Sequence, residues 1–519
     1  MALRLVTASP ELVRVNGKPH AESVFDDIEA MLERKGERGD KSEKSDKLAP
    51  TVSVVEIKEM KQPAKGKHDT AYLDGLRGFA ALLVYSLHHQ VWGHSGVQGE
   101  LILENVFGWE GQYYFVCLPG IRLLFSGGHF AVAIFFVISG YVLSLGPLRA
   151  LHAQDQSGLA RRLGSALFRR WVRLFLPVLA TTFVWMTTWH MFGIKNNNPI
   201  ADPPQSNYLD ELWKWYCDFK NFSFVFTGEP ANAYNDHTWS IPMEFRGSIV
   251  VYTACLAFTE LSTNSRLLCE AGLVWYFLYI VDGWFCCLFM VGMLFCDLNL
   301  LAKGGELPRL LERLRPTRRW IFYILFTAAI YLAGVPSISN DLPHLRRSPG
   351  WWLLSFLKPQ AVYDFRWFYR VIAAILAMVS IPNLPWIKAF FETRFCQYLG
   401  KISFGLYLVH GPVLWSLGDR VYAAVGCVRE GHASATPGWI NLAPFSDWGP
   451  FGLEVNYLAA QLILLPFTIW LADLVTRAID EPSVKFSQYL LKRASSSASA
   501  LPAVEPAREK RRHLRSCTE

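Results

Sequence analysis

The chain has 519 residues, of which 51% are hydrophobic, 14% aromatic and only 18% charged, and its formal net charge is +7. Soluble chains usually carry about 25% charged residues, so this composition excludes a disordered chain, a coiled coil and a typical soluble enzyme. With a mean hydropathy of +0.18, it is typical of a multi-pass membrane protein with polar tails. The basic residues lie in particular loops and form no nucleic-acid-binding stripe, so we expect no nucleic-acid partner.

Polar segments enclose a long apolar region. Residues 1–70 alternate Lys, Glu and Asp over much of their length and are predicted to be a cytosolic, largely disordered tail. Residues 491–519 are first rich in Ser and Ala and then basic, and they are predicted to be a second disordered cytosolic tail. Residues 71–490 between them are predicted to form an all-α transmembrane domain, a polytopic helix bundle.

Ten apolar segments in this region reach roughly the 20 residues that a helix needs to cross a bilayer. They cover residues 72–92, 128–147, 171–192, 238–258, 267–282, 284–301, 319–335, 369–387, 397–417 and 455–477. Only Asp282 and Gly283 separate the fifth segment from the sixth, so a re-entrant pair is the alternative there.

The distribution of Lys and Arg gives the orientation of the spans. With ten spans, four basic segments fall on one side of the membrane: before the first span, after the second, after the sixth and after the last. The loop 336–368, with Arg346 and Arg347, is the exception. Both termini are therefore predicted to be cytosolic, in an endomembrane or the plasma membrane. The glycosylation sequon at Asn221 falls on the opposite side, as glycosylation requires.

The first span contains ionisable side chains, which are costly in a membrane and usually mark function where they are retained. Arg77 and His88 are eleven residues apart, so they share a helix face and are separated by roughly 16 Å along the axis. Arg77 is then near the cytosolic end and His88 near the outer end. The alternative is a snorkelling arginine and an interfacial histidine, which the spacing leaves open.

Two other spans bring polar side chains to a depth similar to that of His88. Glu244 lies about two turns inside the outer end of the fourth span, and His410 lies at a similar depth in the ninth, beside Pro412. The structural alternatives are an ion pair between Glu244 and the neighbouring Arg246, and a packing histidine at a proline kink.

Arginines form a second layer, nearer the cytosol. Arg170 and Arg173 have i, i+3 spacing at the start of the third span, so they share a face at the cytosolic mouth. Together with Arg77 they are candidates for binding the phosphates of a donor, since arginine grips phosphate bidentately. The alternative for each arginine is the positive-inside rule alone. No metal site is expected, because the cysteines and histidines show no zinc-type spacing.

The order and spacing of six motifs, over about residues 70–490, resemble the acyltransferase 3 family. The motifs are LDGLRG at 73–78 followed by His88, FFVISGY at 135–141, RRWVRL at 169–174, WSIPME at 239–244, ISFGLYLVH at 402–410, and Glu481-Pro482. In the last motif the proline follows directly, where the family has one residue between. The segment FRGS at 245–248 resembles the fungal branch of the family.

This resemblance implies a membrane O-acyltransferase that moves an acyl group, often acetyl, from cytosolic acyl-CoA to a hydroxyl of a glycan, a lipid-linked sugar or a secondary metabolite. Acyl-CoA is then a co-substrate, and no bound cofactor is expected. The residues carried over are Arg77, His88, Arg170, Arg173 and Glu244, with His410 as a motif position whose role is less settled. We expect His88 to be the general base, because an imidazole with a pKa of about 6.5 accepts a proton near neutrality, and Glu244 to orient it.

Several alternatives stay open at this point. His89 projects about 100° away from His88 on a regular helix, and only the family spacing selects His88 as the base. Direct attack and an acyl-histidine intermediate are both compatible with the motifs. A proton-coupled transporter would also place His, Glu and Arg within the membrane, although no internal repeat is visible. A non-catalytic membrane protein of the same fold is the remaining alternative.

Overall fold

The structure is a computed structural model of the chain and describes residues 69–94, 97–104, 107, 113–155, 157–195, 203–226, 232–307 and 318–498. These residues form helices and turns, and no β-strand occurs among them, in agreement with the predicted all-α fold. The predicted tail 1–70 lies outside the described residues except for Asp69 and Thr70. Of the predicted tail 491–519, residues up to 498 are described, and they continue a helix instead of forming a disordered segment.

The longer helices follow the predicted apolar segments in chain order. They are α1 (Ala71–Gly93), α2 (Gly128–His152), α3 (Leu159–Phe192), α4 (Tyr208–Ser223), α5 (Ser240–Ala257), α6 (Thr263–Tyr279), α7 (Trp284–Gly304), α8 (Arg318–Ala333), α9 (Phe365–Ser380), α10 (Arg394–Val413), α11 (Val455–Val475) and α12 (Glu481–Ala498). Each of the ten segments overlaps one of these helices, and α4 and α12 are additional to them.

Among the described residues, five helical segments are long and apolar enough to cross a membrane. They are Gly128–His152, Leu159–Phe192, Trp284–Gly304, Phe365–Asn383 and Val455–Ser495. The helix Arg319–Ala333 is apolar but shorter. These segments fit a membrane protein, and the count of ten spans stays a prediction.

A tight turn joins α6 to α7, the fifth and sixth predicted segments, and both two spans and a re-entrant pair are compatible with it. Asp282 adopts the left-handed conformation, with φ of 52°, and the amide of Gly283 donates to the Phe277 carbonyl at 2.7 Å. Aspartate tolerates this backbone conformation better than most residues. The Asp282 carboxylate also accepts a hydrogen bond from the Tyr363 amide at 2.9 Å, which ties the turn to the segment before α9.

Helix α1 packs along both α10 and α2, while α2 packs along α7 and α10 along α11. Where α1 meets α10, a Cβ atom at Gly78 would lie 2.2 Å from the Gly400 amide nitrogen, so the two backbones touch. Small residues commonly allow membrane helices to approach this closely. His88 and His410 come ten residues after these two glycines, and they also lie together (below). The two helices therefore run parallel, as spans one and nine of the predicted topology should.

Candidate functional site

Three histidines from distant parts of the chain form one cluster. The ring of His237 stacks on that of His88, with centroids 3.6 Å apart, and on that of His410, with centroids 4.7 Å apart. The His88 and His410 rings are 5.2 Å apart. The structure thus brings two predicted site residues together and adds His237, which the sequence analysis did not select. The sequence signal for His237 is its position directly before the WSIPME motif.

Hydrogen bonds fix the orientation of the cluster. His410 is 1% exposed, and its Nδ1 lies 3.1 Å from the Leu406 carbonyl oxygen. Since a carbonyl only accepts, Nδ1 carries the proton, and in the neutral ring Nε2 keeps its lone pair. The His237 carbonyl accepts from the Tyr407 hydroxyl, which also lies 2.7 Å from Ser240 Oγ. The turn before α5 is thereby joined to α10.

Gly411 leaves the space that the cluster occupies. A Cβ atom at this position would lie 2.8 Å from His237 Nδ1 and 2.8 Å from Trp415 Cη2, closer than real contacts. The Trp415 ring in turn lies 4.7 Å from the His237 ring. Trp415 belongs to the π-helical turn Leu414–Gly418, which follows Pro412. The kink at the end of α10 therefore shapes the pocket for His237.

The cluster is also a candidate for holding a metal ion, because ligand atoms of all three histidines lie within 4.8 Å of one another. The His237 plane makes angles of 28° with His88 and 11° with His410. The expectation that the protein holds no metal stays a prediction.

His89 belongs to a different network. It is fully buried, its Nδ1 lies 2.9 Å from the Tyr422 hydroxyl, and its ring stacks on Tyr85 with centroids 3.9 Å apart. Gln461 hydrogen-bonds to both tyrosines, at 2.6 Å and 2.9 Å. His89 therefore points away from the cluster that contains His88 and joins α1 to α11 and the short helix Asp419–Val425.

The Glu244 carboxylate binds Arg170. It accepts hydrogen bonds from the Arg170 guanidinium and from the Ser139 hydroxyl, and Arg170 Nε also donates to Ser248 Oγ at 3.1 Å. Both side chains of the ion pair are 13% exposed. The alternative partner, Arg246, instead donates to a backbone carbonyl at 2.5 Å. A predicted catalytic carboxylate is thus paired with a predicted donor-binding arginine.

Arg77 and Arg173 approach one buried carboxylate. The positive charges of both side chains act on Asp480, just beyond α11. Arg77 also donates to the Gly400 carbonyl at 3.0 Å and lies 3.3 Å from the Asp74 carboxylate, while its side chain stays 35% exposed. These two arginines lie at the opposite end of α1 from the histidine cluster, as the sequence predicts for an inner layer.

An acidic group adjoins the histidine cluster in sequence. Burial raises the pKa of Asp236 to about 6, although the backbone amides of Asp236 and His237 donate hydrogen bonds that lower it. The net shift brings the pKa of this carboxyl towards neutrality, one residue before His237 in the chain. The predicted glycosylation site, Asn221, is exposed near the end of α4, where a glycan would meet solvent.

Comparison with known proteins gives a consistent result. A family model described as an acyltransferase domain matches residues 70–477. The chain is 32% identical over 471 residues to the O-acetyltransferase PaAT-1 of Phomopsis amygdali, covering 82% of this chain and 85% of that protein. It is 24% identical over 420 residues to acyltransferase R4 of a Phoma species (68% and 84% covered), and 22% over 474 residues to acyltransferase clz18 of Cochliobolus lunatus (79% and 95% covered). No solved structure matches the chain.

Proposed function

The chain belongs to the acyltransferase 3 family, and on that premise we propose that it is a membrane O-acyltransferase that uses acyl-CoA as donor. The acyl group is acetyl, as the name of the relative PaAT-1 suggests, and the acceptor is a hydroxyl of a carbohydrate, a lipid-linked molecule or a small secondary metabolite. The observation that carries the proposal is the meeting of His88, His237 and His410 in one stacked cluster.

The proposed topology has ten spans and both termini in the cytosol. Its support is the overlap of each apolar segment with a helix and the parallel course of α1 and α10. In this orientation the histidine cluster lies near the outer face, and Arg77 and Arg173 lie near the cytosol. Donor phosphates and the reacting hydroxyl then occupy opposite ends of α1, roughly 16 Å apart along its axis.

His88 is the proposed general base. It is partly exposed, whereas His410 is 1% exposed, so His88 is the more accessible of these two histidines. His88 takes the proton from the acceptor hydroxyl while the oxygen attacks the thioester carbonyl. The new ester C–O bond forms as the C–S bond breaks, and the CoA thiolate leaves and takes up a proton.

The arginines bind the donor in this proposal. Arg77 and Arg173 contact the phosphates of CoA, whose long pantetheine arm carries the thioester towards the histidines. Glu244 acts as a positioning residue, because its carboxylate holds the Arg170 guanidinium in place beside them. Because Glu244 is paired with Arg170, it positions the layer of arginines and does not orient His88 in this proposal.

The test is release of free CoA from acetyl-CoA by the purified full chain. The acceptor pool is a metabolite extract of a strain that lacks the gene, since such a strain should accumulate the unacetylated acceptor. We expect CoA release that depends on this extract, together with gain of one acetyl mass in one extract component. Folded wild-type protein that releases no CoA with this extract would support a transporter or a non-catalytic protein instead.

A further inference from the structure

A cavity of about 350 Å³ lies at the same end of the bundle as the histidine cluster, between α2, α5, α7 and α9. Its apolar wall consists of Trp239, Trp284, Trp367 and Met243. Trp284 and Trp367 stack with centroids 3.7 Å apart, and Trp239 meets Trp367 edge-on at 5.9 Å. Trp239 follows His237 by two residues in the same turn. The volume is within the range of small-molecule sites, which begins at about 300 Å³, and this wall suits an apolar ring.

The cavity is lined by two arginines and one carboxylate, so it has an excess of one positive charge. Of its two arginines, Arg366 is neutralised by Asp364, with Nε and Nη2 at 2.9 Å and 2.7 Å from the carboxylate oxygens. Arg370 is 4% exposed, and within the described part of the chain it shares the charge of Asp364 with Arg366 without a direct ion pair or hydrogen bond of its own. It lies over the Trp367 ring, 5.2 Å from the centroid. Because a buried charge is costly unless it is paired, the cavity favours an anionic ligand group.

His129 joins the cavity to the histidine cluster. It lines the cavity, it is close enough to His88 for the two rings to interact electrostatically, and its Nδ1 has no hydrogen-bond partner among the described residues. The preceding residue, Gly128, packs against α1: a Cβ atom there would lie 2.7 Å from Leu87 Cδ2. The two histidines thus follow directly after a point of contact between α1 and α2. His129 therefore connects a ligand in the cavity to the helix that carries the proposed base.

We propose that this cavity is the acceptor site and that it selects a small acceptor combining an apolar ring with a carboxylate. The proposal rests on the proposed function, because an acceptor site presupposes acyl transfer. The ring packs on the tryptophan wall, the carboxylate pairs with Arg370, and the hydroxyl to be acylated points past His129 towards His88. A phospholipid headgroup is a second source of an anion at this depth, and the experiment separates the two.

The experiment measures binding, so its result does not depend on catalysis. The full chain in phosphatidylcholine nanodiscs is titrated by calorimetry with adamantane-1-carboxylate and with the neutral adamantane-1-carboxamide. We expect the carboxylate to bind at least about ten-fold more tightly, because its hydrogen bonds to a guanidinium are charge-assisted. Arg370→Met should abolish this preference while still binding the carboxamide, which reports an intact cavity, and Arg370→Lys should keep part of it.

Arg346→Met is the matched control, since Arg346 also lies over an aromatic ring, 5.1 Å from the Phe356 centroid, but does not line the cavity. It should bind both probes like the wild type. Equal affinities in the wild type, no binding of either probe, or a preference that survives Arg370→Met would each overturn the proposal. Loss of carboxylate binding in nanodiscs containing phosphatidylglycerol would also overturn the proposal, because an anionic lipid headgroup would then occupy the site.

The same protein preparation distinguishes failure of this proposal from failure of the proposed function. Binding that depends on Arg370, without any CoA release, would support the anion-binding cavity and overturn the acyltransferase mechanism. CoA release without binding of either probe would leave the acyltransferase in place and overturn the assignment of this cavity.

Discussion

The ring of His237 lies against the ring of His88, with centroids 3.6 Å apart and planes inclined by 28°. His410 lies 4.7 Å from His237 and 5.2 Å from His88, so the three imidazoles form a triangle contributed by α1, the turn before α5, and α10. His88 is partly exposed, whereas His410 is 1% exposed. Of these two rings, His88 is therefore the one that a substrate can reach.

Alanine substitutions at His88 and His89 test which histidine acts as the general base and which one only packs in the core. His88→Ala should lower kcat by about two to four orders of magnitude with little change in melting temperature, since a general base is lost. His89→Ala should preserve kcat per folded molecule but destabilise the protein by about 2–4 kcal/mol, because it removes a buried ring stacked on Tyr85 and bonded to Tyr422. Acyl transfer is normalised to monodisperse protein for both variants. Near-normal turnover of His88→Ala, or an inactive His89→Ala, would contradict the assignment.

The substitution Gly411→Ala tests whether the position of the His237 ring matters for catalysis. The added methyl group would lie 2.8 Å from His237 Nδ1, so His237 or Trp415 must move, and kcat should fall about ten-fold or more with KM for acyl-CoA unchanged. Gly272→Ala is the control, because a Cβ atom there meets nothing within 4 Å and alanine favours the helix. It should be as active as the wild type and no less stable. If the two variants had equal kcat, the position of His237 would be irrelevant to the reaction.

The arginines near the predicted cytosolic end differ in what they contribute: Arg173 binds the donor, and Arg170 also stabilises the fold. Arg173→Gln should raise KM for acyl-CoA several-fold while KM for the acceptor stays constant. Arg170→Gln should in addition destabilise the protein by about 2–4 kcal/mol, because it leaves the 13% exposed Glu244 carboxylate without its partner. The double variant Arg170→Gln/Glu244→Gln should recover most of this loss. Thermal unfolding and acyl-CoA titrations measure both effects, and an unchanged KM in Arg173→Gln would favour the positive-inside explanation.

Local patterns in the sequence account for the helices and for one face of α1. Apolar runs of about 20 residues predicted ten segments that overlap helices, and the eleven-residue spacing put Arg77 and His88 on one face. These predictions succeed because hydropathy and helical pitch are local properties. The family match over residues 70–477 confirms the resemblance that the motifs indicated.

The partners of the polar side chains were not predictable in the same way. Depth along the membrane placed Glu244 near His88, whereas the packing of α3 against α5 makes Arg170 its partner. His237 lies at the boundary of a span, where hydropathy gives no signal of function, and only the packing against α1 and α10 shows its contacts with His88 and His410. Which side chains pair between distant helices depends on tertiary packing, and local patterns in the sequence do not reveal it.

The topology can be checked with the sequon in α4. Asn221 is exposed and should lie on the lumenal or external side, so its glycan should give a mobility shift that Asn221→Gln removes. A glycosylation reporter fused to the C-terminus should stay unmodified, because the basic segments place this end in the cytosol. A glycosylated C-terminal reporter would contradict the ten-span topology.

The pH dependence of stability can be tested at Asp236, outside the helical span of α5. Burial raises the pKa of its carboxyl to about 6, well above the usual range of an aspartate, so the folded state disfavours the ionised form. The resulting decrease in the free energy of unfolding is fully present above the pKa of the folded state. It disappears as the pH falls below the pKa of the unfolded state. Asp236→Asn should therefore raise stability at about pH 7.5 by about 2 kcal/mol, allowing for partial solvent screening. Near pH 4.5 the gain should shrink to about a third.

Asp155→Asn, an exposed loop control, should give no gain at either pH. Melting temperatures in one detergent at both pH values measure the difference, and a gain for Asp236→Asn that does not change with pH would show that its charge is not the cause.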